Sequence, residues 1–188
     1  LQMNLQLTQR LAGTDNIYFF DPSRWISSVG FEMISYRFWY MAKVPYGNKV
    51  FIEAAKAIKS ALTGIHGGSR KLILLDLDDT LWGGVVGEVG IEGLQLGGHH
   101  PNGEAFLDFQ RLLKSYAVRG VLLGIISKNE EILALNTIEN HQEMILKKKD
   151  FVGWKINWKE KALNIVELVE TLNLGLQSVV FIDNNFSE

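Results

Sequence analysis

The chain has 188 residues, of which 47% are hydrophobic and 21% charged, with a formal net charge of −2. These values suit one ordinary globular domain, or one domain plus part of another, and the lack of a long basic run argues against nucleic acid as a partner. Cysteine is absent, which excludes a disulfide framework, a thiolate metal site and a cysteine nucleophile. No apolar stretch reaches the roughly 18 residues of a membrane span, and the N-terminus does not read as a signal peptide, so no membrane is expected and the cytoplasm is the default location.

Residues 1–66 read as a different unit from the remainder of the chain. Ile17 to Phe20 is a short apolar run expected as a strand, closed by Asp21-Pro22. Ser28 to Asn48 is rich in aromatics, Phe31, Tyr36, Phe38, Trp39, Tyr40 and Tyr46, which are expected in a core because large apolar residues are mostly inside. Phe51, Ala54, Ala55, Ile58, Ala61 and Leu62 recur at helical spacing and predict an amphipathic helix over 48–62. Thr63 to Arg70, with three glycines, is the best linker candidate.

Beyond it, Leu72 to Leu75 is a continuous apolar run, short enough for a strand buried on both faces. Next comes a glycine-rich stretch from Gly83 to Gly98, read either as a small flap over a site or as an ordinary surface hairpin. Glu104 to Tyr116 has one apolar face and predicts a helix, ended by Gly120. Val121 to Ile126 is a second buried-type strand, succeeded by a short helix over 130–137. Lys147-Lys148-Lys149 reads as a solvated face, and Trp154 and Trp158 as packing residues. Ala162, Ile165, Val166, Val169 and Leu172 form one helical stripe, and Val179 to Ile182 is a third strand. Strand and helix alternate, which predicts an α/β fold with a parallel sheet flanked by helices.

The chemistry collects at the strand ends. The first strand runs into Asp76-Leu77-Asp78-Asp79-Thr80. Carboxylates packed this closely repel one another, so folding alone would not select them. A divalent cation would make them useful, because Mg²⁺ takes oxygen ligands and binds through one or two carboxylates plus substrate phosphate. In an open parallel sheet, ligands sit at the carboxyl ends of the strands. Asp76 and Asp78 lie two apart and are expected to face one site as the strand ends. The other two strands end at Ser127-Lys128-Asn129 and Asp183-Asn184-Asn185, so Ser127 and Asp183 are expected to converge with them. The competing reading, carboxylates in a salt-bridged network, finds little support in the nearest arginine, because Arg70 should sit at the opposite end of the strand.

The run hydrophobic-Asp-x-Asp-x-Thr resembles motif I of the haloacid dehalogenase (HAD) superfamily, and the longer string DLDDTLWGGVVGEVG resembles its FkbH-like branch, subclass IIIC. The resemblance implies a Rossmannoid three-layer fold with a minimal cap for residues 67–188. It implies a Mg²⁺-dependent phosphoryl-transfer enzyme working through an aspartyl-phosphate. Asp76 would be the nucleophile and a metal ligand. Asp78 would be the general acid/base, with its backbone carbonyl on the metal. Thr80 would stabilise the loop. Ser127 would hold a phosphate oxygen, Lys161 would neutralise Asp76 and phosphate, and Asp183 would complete the metal shell. Ser127 and Lys161 carry little signal alone, since Lys155 and Lys159 compete for the lysine role, but the motifs stand in the expected order. Asp21-Pro22-Ser23-Arg24-Trp25 and Lys43-Val44-Pro45-Tyr46 resemble elements of the SGNH-hydrolase-like domain that precedes such domains. Residues 1–66 are accordingly expected to be the C-terminal part of an SGNH-like α/β domain, and the chain a fragment lacking residues at both ends.

The pattern is departed from in two places. Asn184 stands where FkbH-like proteins usually carry a second aspartate, which implies weaker metal binding. Ile126 stands where a cysteine commonly precedes the motif II serine. The activity implied by the resemblance takes a glyceryl group from a phosphorylated three-carbon acid to an acyl carrier protein, and an enzyme thiol for that relay is missing. Direct transfer to the carrier thiol or plain phosphate hydrolysis remain open, as do a generic promiscuous phosphatase and a non-catalytic scaffold within a polyketide or other secondary-metabolite synthase. Residues 81–126 and 128–160, between the motifs, leave no room for a large cap, so a bulky phosphate ester or a carrier-tethered substrate would fit. His99-His100 is expected at the surface rather than as a metal site.

Overall fold

The structure, a computed structural model, describes residues 2–15, 17–98 and 100–185. It divides into two compact units, Leu1–Gly67 and Gly68–Glu188.

The first unit is helical: α1 (Gln2–Leu11), α2 (Pro22–Val29), α3 (Tyr36–Ala42) and α4 (Asn48–Ile65). Asp21 caps α2 by accepting from the Ser23 N–H, with Pro22 at the first position, so the pair expected to close a strand opens a helix. Residues 17–20 form no strand, because a strand needs a neighbour and the only described pairing in this unit is an isolated Ile34–Tyr46 bridge. Most of the aromatics expected in a core are instead at the surface: Phe31 is fully exposed and Tyr36, Trp39, Tyr40 and Tyr46 are exposed too, while Phe38 is half-buried. The helix over 48–62 forms, but Phe51, Ile58 and Leu62 of its expected inner face are exposed and Val50 is buried. Among the described residues this unit has no strand-built layer to cover these apolar side chains.

The second unit is built on a parallel sheet in the order β3-β2-β1-β4, from β1 (Leu72–Leu75), β2 (Leu122–Ser127), β3 (Phe151–Ile156) and β4 (Val179–Ile182). Period-2 alternation assigns the faces. Leu75, Leu123 and Ile125 join one core with residues of α6 (Pro101–Val118) and α7 (Glu131–Asn140), including Leu113, Ala134 and Ile138. Leu72, Leu74 and Ile126 join the other with Leu168 and Val169 of α8 (Lys161–Thr171). Helices therefore cover both faces in three layers.

β3 has no counterpart among the expected strands. Its sequence FVGWKI is interrupted by glycine and lysine, and as an edge strand it is only partly buried, so it lacks a continuous apolar signal. α6 starts three residues before its apolar pattern, with His100 as its cap and Pro101 behind it. His99 lies outside the described residues; His100 is exposed. In α8 the buried positions include Lys161 and Asn164, while Ala162 and Val166 of the expected stripe are exposed. Lys148 and Lys149 are exposed, but Lys147 is half-buried and donates to the Glu139 carbonyl at the end of α7. Trp158 is exposed rather than packed, and Trp154 donates to Glu131.

The insert after β1 is small. Asp79 takes a left-handed conformation at φ 52° and accepts from the Gly84 N–H at 2.6 Å, turning the chain sharply. The glycine-rich stretch holds a Gly83–Gln95 antiparallel bridge and the one-turn helix α5 (Val86–Val89). The fully buried Gln110 of α6 fastens this insert. Its amide donates to the Leu81 carbonyl and accepts from the N–H groups of Ile145 and Leu146.

Candidate active site

The sheet order places β1 at the centre, with β2 on one side and β4 on the other, and the order reverses there, where open α/β sheets bind ligands. Leu75 is in register with Ile182 and Ile125, so the next residues along, Asp76 and Asp183, leave neighbouring strands at one level. The Asp76 N–H continues the ladder to the Ile182 carbonyl at 3.0 Å. Ser127 ends β2 and is buried, and its carbonyl accepts from the Asn157 N–H just past β3.

Lys161 joins these tips. Its Nζ donates to Asp76 Oδ2 at 3.0 Å and to Asp183 Oδ2 at 2.8 Å, and the three side chains are 7–9% exposed. Sequence could not choose among three lysines. In the fold, Lys155 and Lys159 turn to Glu167 and Lys161 opens α8 beneath the carboxylates. The loop before it is braced by paired bonds between the Asn157 and Asn164 amides. Arg70 lies at the far end of the sheet, where it donates to the Gln177 carbonyl, so the cation that pairs the acids is a lysine.

Asp78 does not share that partner. Its Oδ1 accepts from the Trp82 indole at 2.8 Å and the Val86 N–H at 3.1 Å, and its Oδ2 from the Asn129 amide at 2.9 Å. The two carboxylates thus have different hydrogen-bond partners, although the charge of Asp76 still acts on Asp78. Burial pushes the Asp78 carboxyl above its ordinary value, against the pull of the Trp82 and Val86 bonds, with the charges of Asp76 and Asp79 adding to the rise. Trp82 and Asn129 carry no signal of this role in the sequence. The turn after Asp79 brings Trp82 to Asp78, and the parallel pairing of β1 with β2 brings Asn129.

Thr80 donates its N–H to the Leu77 carbonyl, which holds the loop. Its hydroxyl is buried and has no hydrogen-bond partner among the described residues. An unmet buried hydroxyl is costly, of order 1–3 kcal/mol, and a ligand or water oxygen would remove that cost.

Among the described residues no group of three or more His, Asp and Glu side chains forms a metal cage. The donor set nonetheless suits magnesium, which binds through one or two carboxylates and keeps its waters. Asp76 and Asp183 would supply the carboxylates. The Asp78 side chain is held by three donors, and its backbone carbonyl could serve the metal. No helix among the described residues is long and apolar enough to cross a membrane.

No protein-family model matches the chain, and no curated protein does. Among solved structures, the N-terminal part of the protein BF1531 from Bacteroides fragilis, containing a phosphatase domain and complexed with Mg, is similar, with 32% identity and a TM-score of 0.87. The match covers 98% of this chain and 50% of that one, so the chain spans half the length of that neighbour. The α/β fold, with its central parallel sheet and small insert after β1, is HAD-like.

Proposed function

We propose that this chain carries a Mg²⁺-dependent phosphatase site that works through an aspartyl-phosphate on Asp76. The observation that carries the proposal is the meeting of Asp76 and Asp183 on Lys161 Nζ at adjacent strand tips. The Mg complex of the similar phosphatase domain supports it.

In this reading Asp76 attacks phosphorus while the ester oxygen leaves with a proton from Asp78. Water then attacks the aspartyl-phosphate, Asp78 takes the water's proton, and phosphate and free Asp76 are released. Lys161 offsets the charge on Asp76 and on the phosphoryl oxygens. Ser127 and the Thr80 hydroxyl offer hydrogen bonds at the same end of the sheet. Magnesium, when bound by Asp76, Asp183 and the Asp78 carbonyl, would neutralise phosphate charge.

The substrate we propose is a small phosphorylated molecule, and the small insert leaves the site open to a bulky or tethered one. The finer reading is release of phosphate from a phosphorylated three-carbon acid with transfer of its acyl group to a carrier-protein thiol. Because residue 126 is isoleucine, that transfer would go directly to the carrier.

Phosphate release from p-nitrophenyl phosphate, with and without Mg²⁺, tests the phosphatase reading. It should need the metal and vanish in Asp76→Asn. Undiminished turnover in that variant refutes the mechanism, and no hydrolysis of any phosphate ester favours a non-catalytic scaffold. Intact mass of a pantetheinylated carrier protein tests the transfer.

A further inference from the structure

Acid–base catalysis at this site needs a proton on Asp78, and the surroundings of that carboxyl are lopsided. Each carboxylate oxygen has two lone-pair directions. Both on Oδ1 are taken, by the Trp82 indole N–H and the Val86 N–H. Among the described residues Oδ2 accepts one bond, from Asn129 Nδ2 at 2.9 Å, and keeps one direction open. A proton on Oδ1 would displace a donor, and the Trp82 ring is fully buried with no water to turn to.

Asn129 is itself fixed. It is 6% exposed, and its own Oδ1 accepts from the Glu130 N–H at 2.9 Å. That bond settles which end of the amide faces Asp78. Asn129 also stands two residues beyond Ser127, so the loop proposed to hold phosphate reaches across to the acid on the neighbouring loop.

We infer that Asn129 is a positioning residue which, with Trp82 and the Val86 N–H, confines the transferable proton of Asp78 to Oδ2. This rests on the phosphatase reading. One oxygen then serves both half-reactions. Oδ2 gives its proton to the ester oxygen as the phosphorus–oxygen bond breaks, and takes one from water as the new bond to phosphorus forms and the bond to Asp76 breaks. The rotation of the carboxyl that would take Oδ2 away from the reacting atoms is prevented by the three donors.

The test compares two esters that differ in their need for an acid: p-nitrophenyl phosphate, whose phenolate leaves unaided, and glycerol phosphate, whose alkoxide does not. In Asn129→Ala, kcat/KM, which reports only the leaving-group half-reaction, should fall by about tenfold or more for glycerol phosphate and change by less than about threefold for p-nitrophenyl phosphate. In an Asp78→Asn background the same substitution should add nothing further. Trp82→Phe, which keeps a ring in the core but loses the N–H, should show the same asymmetry if Asn129→Ala fails to fold. Equal losses of kcat/KM on the two esters, or additive losses with Asp78→Asn, overturn the inference and leave the phosphatase intact. A wild-type chain that hydrolyses neither ester with Mg²⁺ overturns both.

Discussion

Lys161 donates to Asp76 across 3.0 Å at a point where both side chains are nearly out of water, although 85 residues separate them in the chain. The same ammonium reaches Asp183 at 2.8 Å, so one lysine holds two carboxylates that would otherwise repel.

Lys161→Met should therefore be costly. Removing one partner of a buried ion pair leaves uncompensated charge, which destabilises by about 3–5 kcal/mol. Urea unfolding of wild type and variant measures this. Lys161→Arg should recover little, because the broader guanidinium does not fit the space of a point charge between two carboxylates.

Magnesium should raise the melting temperature by linkage. At about a hundredfold excess over its dissociation constant the gain is about 2.7 kcal/mol. Asp183→Asn should shrink the magnesium-dependent shift, as should chelation by EDTA in the wild type. A shift of full size in Asp183→Asn would remove that residue from the metal shell.

Gln110 ties the insert after β1 to the segment before β3. Gln110→Ala should leave the Leu81 carbonyl and two N–H groups without partners inside the protein, a loss of roughly 3 kcal/mol or more. Hydrogen exchange should rise at Ile145 and Leu146. Gln110→Glu should be less damaging to those N–H groups, which keep an acceptor, and should lose the Leu81 bond.

Asp150 supplies a pH dependence. Burial raises its carboxyl, but the Lys114 hydrogen bond, the Lys147 N–H and the charges of Lys114 and Lys149 outweigh burial and hold it below the usual carboxylate range. The unfolded chain thus binds this proton more readily than the folded one. The stabilisation is complete above the unfolded value and is lost as pH falls through the folded one. Asp150→Asn should lower the melting temperature at neutral pH and flatten its fall below about pH 4 relative to wild type.

Gly103 opens the way for α6 to pass Gly97: a Cβ at residue 103 would sit 2.4 Å from the Gly97 carbonyl oxygen. Gly103→Ala should destabilise the unit even though alanine favours helix, because a backbone atom cannot swing aside. Thermal melts of Gly103→Ala beside a control at the exposed Gly87, where a Cβ meets nothing, separate the clash from helix propensity.

The parallel α/β plan of residues 68–185, and the tips on which the acids sit, are legible in the order of the amino acids. Buried strands and amphipathic helices write themselves as local periodicities, and Asp76 and Asp183 come directly after uninterrupted apolar runs. The same order is silent on β3, whose edge position removes the apolar run. It misleads for residues 17–62, where apolar character is local but burial depends on what layer exists to cover it. Which lysine meets the carboxylates is settled by folding, because Lys155, Lys159 and Lys161 are alike in sequence and differ only in where β3 and α8 aim them. Folding also brings Trp82 and Asn129 to Asp78, one by the turn at Asp79 and the other from the loop after β2, which no spacing rule records.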